Sequence, residues 1–243
     1  RDGIASRGIG DVYKRQDKYR VKQAKTQKNK NYPAMVESVD DCMRDLLAEL
    51  EKHRIDRNTL ILFTSDNGGL DNKSNPTDNA PLRSGKGYCY EGGIRVPFLA
   101  RWPGKIPKRV TSDFTVSSID LFPTILQATG TALPKDRLID GLSLHDHMIS
   151  GGKHVPKRDT LLWHFPHYRH APGPYSIIRK GKWKLIKFWE GIHELYDLEN
   201  DLEESQNLAK SNPELVKELD RELTDSLKSG GALFPKPNPN YNN

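Results

Sequence analysis

Cysteine is nearly absent from this chain. Only Cys42 and Cys89 occur in 243 residues, which excludes a disulfide framework and a multi-cysteine zinc site and says little about redox compartment. Long apolar runs are absent too. No window approaches the roughly 20 consecutive apolar residues of a membrane-spanning helix, and no apolar stretch follows Arg1, so no signal peptide is expected at this terminus. No internal repeat is visible. Hydrophobic residues make up 35% and mean hydropathy is −0.74. Four Trp, nine Tyr and seven Phe nevertheless argue against wholesale disorder. At roughly 100–200 residues per domain, the length allows one or two domains.

Acidic residues are scarce only at the start. Residues 1–30 carry ten Lys/Arg against three Asp/Glu, so the net charge of +6 arises there and the remainder is close to neutral. A basic arm such as Lys18-Tyr19-Arg20-Val21-Lys22 is a nucleic-acid footprint only alongside a stacking platform or a binding fold. Neither accompanies it, so a solvated, loosely ordered leader is expected and no nucleic-acid partner.

From Tyr32 onward the apolar residues become periodic. Met35, Val36, Val39, Cys42, Met43, Leu46, Leu47 and Leu50 recur at three and four, which predicts an amphipathic helix with Cys42 in its core-facing stripe. Thr59 to Phe63 is an uninterrupted apolar run, the pattern of a parallel strand buried on both faces. Ile94 to Trp102 reads as a further strand, with Pro97 confining it to an edge or bulge. Ser117–Ala128 predicts a helix stopped by Gly130, and Leu142–Met148 a short helix or turn closed by Gly151-Gly152. His145 and His147 are expected at the surface. Beyond residue 158 the texture changes to strands: 160–165, a hairpin over 177–188 turning at Arg179-Lys180-Gly181-Lys182, and 194–198. A final helix over 212–228 follows, with Ser211 and Glu214 as a capping box, Pro213 in its first turn and Gly230 as its stop.

Three features between 64 and 97 can carry chemistry. Asp66-Asn67, directly after the apolar run, offers a carboxylate and an amide oxygen to a hard cation. The same dipeptide is equally a turn former. Gly85-Lys86-Gly87 sets one ammonium between glycines that let backbone approach an anion closely, although the spacing is not that of a Walker A loop. Glu91 and Arg95, in Glu91-Gly92-Gly93-Ile94-Arg95-Val96-Pro97, are expected to hold the loop against the sheet. Further on, Trp163 to His170 holds His164, His167 and His170. Pro166 prevents a regular helix that would align them as zinc ligands. A loop offering His164, His167 and Arg169 to a ligand competes with a purely structural loop.

Taken in order, Thr59–Gly69, Pro81–Gly87, Glu91–Pro97, Trp102-Pro103-Gly104, Asp140–Leu144, Ile178–Leu185 and Glu194–Leu198 resemble the second half of a type I sulfatase, over about residues 32–230. The resemblance implies an α/β, alkaline-phosphatase-like core with a small α+β C-terminal subdomain. It implies hydrolysis of a sulfate monoester of a carbohydrate or aryl substrate, with one Ca²⁺. Position by position, Asp66 and Asn67 match late metal ligands and Lys86 matches the lysine that contacts the substrate sulfate. The family's Cys/Ser-x-Pro-x-Arg nucleophile motif, oxidised to formylglycine, has no match. Cys42 and Cys89 lack its context, and Ser74-Asn75-Pro76-Thr77-Asp78 has Asp where Arg is needed.

The sequence therefore reads as a leader over 1–31, the C-terminal part of the sulfatase α/β domain over 32–153, a subdomain over 154–232 and a loose tail over 233–243. The nucleophile, the remaining calcium ligands and any export signal are expected in a missing N-terminal half, and the chain alone is expected to be inactive. The family suggests a periplasmic or extracellular location, and the sequence leaves the oligomeric state open. A phosphatase or phosphodiesterase of the same superfold, or an inactive anion-binding relative, is the alternative.

Overall fold

The computed structural model describes residues 18–19, 31–71, 77–169 and 173–236. Most of the leader, much of the Ser74–Asp78 string, His170 and the end of the tail lie outside the described residues. Among the described residues no helix is long and apolar enough to cross a membrane. The chain forms two compact units that do not follow chain order. Of the described residues, one takes 18–19 and 31–65 together with Pro97–Lys157; the other takes those of 66–96 together with those from Arg158 onward.

In the first unit the helix spans Asn31–Lys52. Its apolar stripe is left open: Met35, Val36, Val39 and Leu46 are each about half exposed, and only Ala34 is buried. Cys42 is exposed as well, not in a core. The 3.6-residue period fixes which residues share a face, but a face is buried only where another element packs on it. Strand β1, Ile61–Thr64, pairs antiparallel with β2, Phe98–Arg101, with Ile61 opposite Arg101 and Thr64 opposite Phe98. The apolar run is thus neither parallel nor fully buried. With one neighbour in its sheet, β1 stays half-exposed along its length and open at Thr64. Pro97 precedes β2, where its missing N–H costs no ladder bond.

A buried carboxylate organises the remainder of this unit. A 3₁₀ turn, Ser118–Asp120, runs into the helix Leu121–Ala128, and a short helix follows at His145–Ile149. Asp120 is fully buried and accepts from the backbone N–H of Ser117 at 2.8 Å and of Leu142 at 3.0 Å. Thr124 Oγ1 donates to Asp120 O and accepts from Leu144 N–H at 2.8 Å. His147 is not at the surface. It is buried, with Nε2 2.8 Å from Ser112 Oγ and Nδ1 2.6 Å from the carbonyl oxygen of His154.

The second unit is built on a four-stranded antiparallel sheet in chain order: β3 Leu161–Phe165, β4 Tyr175–Lys180, β5 Trp183–Phe188 and β6 Ile192–Asp197. Both faces are covered, and the two-residue period assigns the cover. Ile178, Leu185 and Leu195 pack with Leu219, Leu223 and Leu227 of the helix Pro213–Ser229. Ile177, Ile186, Phe188 and Tyr196 pack with Cys89 and Tyr90 from the Asp66–Val96 segment. The helix is capped at Asn212 without a side-chain bond, so Ser211 forms no capping box. Ser211 Oγ donates instead to Leu208 O.

Asp120→Ala strands two buried backbone donors and should cost about 2–4 kcal/mol. Asp136→Ala, whose carboxylate pairs with Arg137 in solvent, should cost under about 0.5 kcal/mol. Urea titration of both variants checks this.

Candidate active-site loop

Three backbone segments of the second unit pass one another closely enough to exclude side chains. Gly68 N–H donates to Gly93 O at 3.0 Å, Lys86 N–H to Gly69 O at 2.9 Å and Gly92 N–H to Arg83 O at 2.9 Å. A Cβ on Gly68 would lie 1.7 Å from Gly92 O, and one on Gly85 2.2 Å from Gly69 O. Only glycine fits at either position. Asn79 Nδ2 cross-links the segments by donating to Gly69 O at 2.9 Å and Ser84 O at 3.0 Å. The Asp66-Asn67 segment and the Gly85-Lys86-Gly87 turn are therefore adjoining stretches of backbone, tied through Gly69. Asp66 and Lys86 are exposed and Asn67 is half-buried.

Glu91 opens a one-turn helix, Glu91–Ile94, where the sequence suggested the start of a strand. Gly92 and Gly93 permit that turn, and Arg95 N–H closes it on Glu91 O at 2.7 Å. The turn buries the Glu91 side chain, and beneath it lies a group with no counterpart in the motif reading. Lys184, on β5, is completely buried, with Nζ 3.0 Å from Glu91 Oε1 and 2.7 Å from Glu204 Oε1. The contact to Glu204 Oε1 is at ion-pair distance without an aligned hydrogen bond. Glu204 Oε2 accepts from the Glu91 backbone N–H at 2.6 Å, and Arg95 Nε donates to Glu91 Oε2 at 2.8 Å. Arg83 adds a second anchor: Nη1 donates to Tyr196 OH and to Glu204 O, both at 2.9 Å, and its guanidinium lies 3.7 Å from the centre of the Tyr90 ring. Glu91 and Arg95 thus hold the loop, as the sequence suggested. Lys184 shares a strand face with Ile186 and Phe188, and that two-residue period was the one signal in the sequence that it points inward.

The two carboxyls differ in electrostatic situation. Burial alone would raise Glu91, but Lys184 and then Arg95 hold it below the usual carboxylate range. Burial pushes Glu204 up, with Lys184 as its opposing charge and Glu91 adding repulsion. Burial also pushes the Cys89 thiol up to about 12, so this cysteine is a packed residue and not a thiolate nucleophile.

The aromatic strand of the sequence reading lies elsewhere in this unit. His164 sits in β3 with both ring nitrogens engaged: Nδ1 is 2.7 Å from Ser176 Oγ and Nε2 2.7 Å from Leu233 O. That arrangement docks residues 233–234 on the sheet, with Phe234 5.0 Å from the Trp189 ring, and offers a ligand no vacant nitrogen. His167 packs edge-on to Phe165 at 5.2 Å. Arg169 is exposed. Among the described residues no group of three or more His, Cys, Asp or Glu could hold a metal ion. Asp66 and Asn67 supply oxygen donors of the right chemistry for calcium, but two at most of the usual 6–8. The residues present do not complete such a site.

A lowered carboxyl stabilises the fold above its ordinary value of 4.5 and loses that contribution as pH falls through the lowered value. The stability gap between wild type and Glu91→Gln should therefore be widest above pH 4.5 and narrow on acidification. Denaturant unfolding along a pH series measures it.

Residues 10–131 match the family model Sulfatase, and residues 84–229 match N-sulphoglucosamine sulphohydrolase, C-terminal. The first match begins inside the 1–31 stretch that the motif reading left outside the resemblance. A sulfatase of Formosa agariphila is 35% identical over 201 residues, which is 75% of this chain and 36% of that protein. Human arylsulfatase A is 35% identical over 188 residues, 66% of this chain and 36% of its own length. The crystal structure of Ps i-CgsB in complex with k-i-k-neocarrahexaose superposes with a TM-score of 0.74 at 31% identity, covering 88% of this chain and 46% of that one. The chain spans less than half the length of these relatives, and its fold is theirs, the alkaline-phosphatase-like fold. With one family model covering half of the chain and the second running through the sheet and terminal helix, the chain belongs to the sulfatase family.

Proposed function

We propose that this chain is the C-terminal part of a sulfuric ester hydrolase acting on a sulfated glycan or aryl sulfate, with Lys86 contacting the sulfate. The observation that carries this is the Gly85-Lys86-Gly87 turn, pinned by Lys86 N–H on Gly69 O beside Asp66-Asn67, in a chain of the sulfatase family. Sulfate monoester cleavage develops negative charge on the transferred group and the leaving oxygen. A lysine whose backbone is pinned beside Asp66-Asn67 can bring its ammonium to that charge from a fixed starting point. The glycine-built crossing leaves the Lys86 side chain in solvent, accessible to a substrate oxygen.

Asp66 and Asn67 would give two oxygens to a calcium ion whose other ligands come from outside these residues. Such an ion, once bound, supplies charge stabilisation of the sulfate oxygens. The Cys/Ser-x-Pro-x-Arg string has no match in this sequence, and a formylglycine from outside the chain is the proposed nucleophile. A glycan substrate is supported by the relatives. An N-acetylgalactosamine-6-O-sulfatase of Bacteroides thetaiotaomicron is 29% identical over 79% of this chain. A solved structure at 29% identity and TM-score 0.66 carries its substrate D-glucosamine-2-N,6-O-disulfate. His167 and Arg169 are the proposed contacts to the remainder of such a substrate.

The isolated chain should bind calcium more weakly than micromolar and leave an aryl sulfate intact. Calorimetry showing micromolar affinity would mean that the ligand set is complete without outside residues. In the full-length enzyme Lys86→Ala should lower kcat by about 10²–10³, with no recovery in excess calcium. Asp66→Asn should recover in part, because its defect is metal affinity. Steady-state kinetics across a calcium series separates the two roles, and full activity of Lys86→Ala would refute the assignment.

A further inference from the structure

We propose that Lys184 is a positioning residue for Lys86. The inference rests on the reading of Lys86 as the sulfate contact. Its basis is a continuous chain of contacts within one compact unit. Lys184 Nζ, wholly buried on β5, lies 3.0 Å from Glu91 Oε1 and 2.7 Å from Glu204 Oε1. Glu204 Oε2 accepts the Glu91 backbone N–H. Gly92, the residue after Glu91, is tied to Arg83 O, and the chain running back from Glu91 is tied at Lys86 to Gly69 O. One ammonium therefore neutralises two carboxylates from different segments, one at the end of the Lys86 loop and one beyond the sheet.

Without that ammonium, Glu91 and Glu204 face each other in a buried site, with Arg95 bonded to Glu91 and Arg179 acting on it through space as the remaining compensation. An uncompensated buried charge is strongly unfavourable. The Glu91 end is the one able to move, because it belongs to a loop, whereas β5 is hydrogen-bonded on both sides to β4 and β6. Its displacement pulls on Arg83, Gly85 and Lys86, whose backbone crossing has no slack: a Cβ on Gly92 would already lie 2.1 Å from Ser84 O. The aim of an exposed lysine thus depends on a lysine nearly a hundred residues later in sequence.

Hydrogen–deuterium exchange on the full 243-residue chain tests this, with inorganic sulfate as the ligand probe. In Lys184→Met, exchange over 84–90 should accelerate about tenfold or more while strands 175–188 keep their protection. Glu91→Gln, which weakens the loop's link but leaves the Lys184–Glu204 pair, should give a smaller acceleration confined to 84–90. It decides the question if Lys184→Met does not fold. Sulfate should slow exchange at 84–90 in the wild type and lose that effect in Lys184→Met and Lys86→Ala. Unchanged exchange at 84–90 in both loop-link variants, or equal loosening of 84–90 and 175–188, overturns the positioning role. If Lys86→Ala alone keeps the sulfate effect, the sulfate reading of Lys86 fails, and the coupling is then judged on exchange without sulfate.

Discussion

A single buried ammonium carries the second unit. Lys184 has no exposed surface, and its neighbours in sequence, Leu185 and Ile186, are as buried as it is. Placing a charge there is unfavourable unless every proton finds an acceptor and the opposing charges are close. Glu91 accepts one hydrogen bond and Glu204 adds an opposing charge at 2.7 Å, and they come from two segments that the sheet alone would not bring together. The arrangement works as a specificity device more than as a source of net stability. It selects one seating of the Arg83–Ile94 loop on the sheet, because any other leaves a charge buried and unpaired. The apolar contacts of Cys89 and Tyr90 with Ile177, Ile186 and Phe188 then fill a position that the ions have defined.

Both faces of the sheet combine apolar packing with ion pairs, but they bury the ions differently. On the helix side leucines and isoleucines pack together, and Lys180–Glu222 and Lys187–Asp220 pair at partly exposed positions. On the loop side the apolar cluster of Cys89 and Tyr90 is joined by a wholly buried ammonium, a tyrosine hydroxyl and backbone amides, whose geometry is narrow. Arg83 adds to these: it stacks on Tyr90, bonds Tyr196 and bonds the Glu204 carbonyl. The docked C-terminal segment repeats the pattern at the edge of the sheet, where His164 bridges Ser176 and Leu233 through its two nitrogens.

Elements whose cause is local were legible in the sequence. The helix ending at Ser229 follows from its leucine period, and the β4–β5 hairpin from the Lys180–Lys182 turn. The Asp66-Asn67 and Gly85-Lys86-Gly87 motifs were legible as well, though only resemblance raised them above turn formers. What was not legible depends on neighbours. An apolar run at β1 gave no sign that it would be paired on one side and antiparallel. The stripe of the first helix told which residues share a face but not that the face is open, so Cys42 was misplaced. His147 was assigned to the surface because nothing nearby in sequence announces its bonds to Ser112 and His154. The two partners of Lys184 were invisible for the same reason, lying 93 and 20 positions away.

The glycine crossing at 68, 69, 85, 92 and 93 has a consequence for how such a site can change over time. Excluded volume between main chains sets part of its shape, and no substitution of a side chain can relieve it. The positions beside it are constrained as well: Ser84 and Gly87 both adopt positive φ, and Tyr88 packs on the core. Freedom to change is left to side chains that leave the crossing for solvent, such as that of Lys86, so such a loop can alter what it displays far more readily than the path along which it displays it.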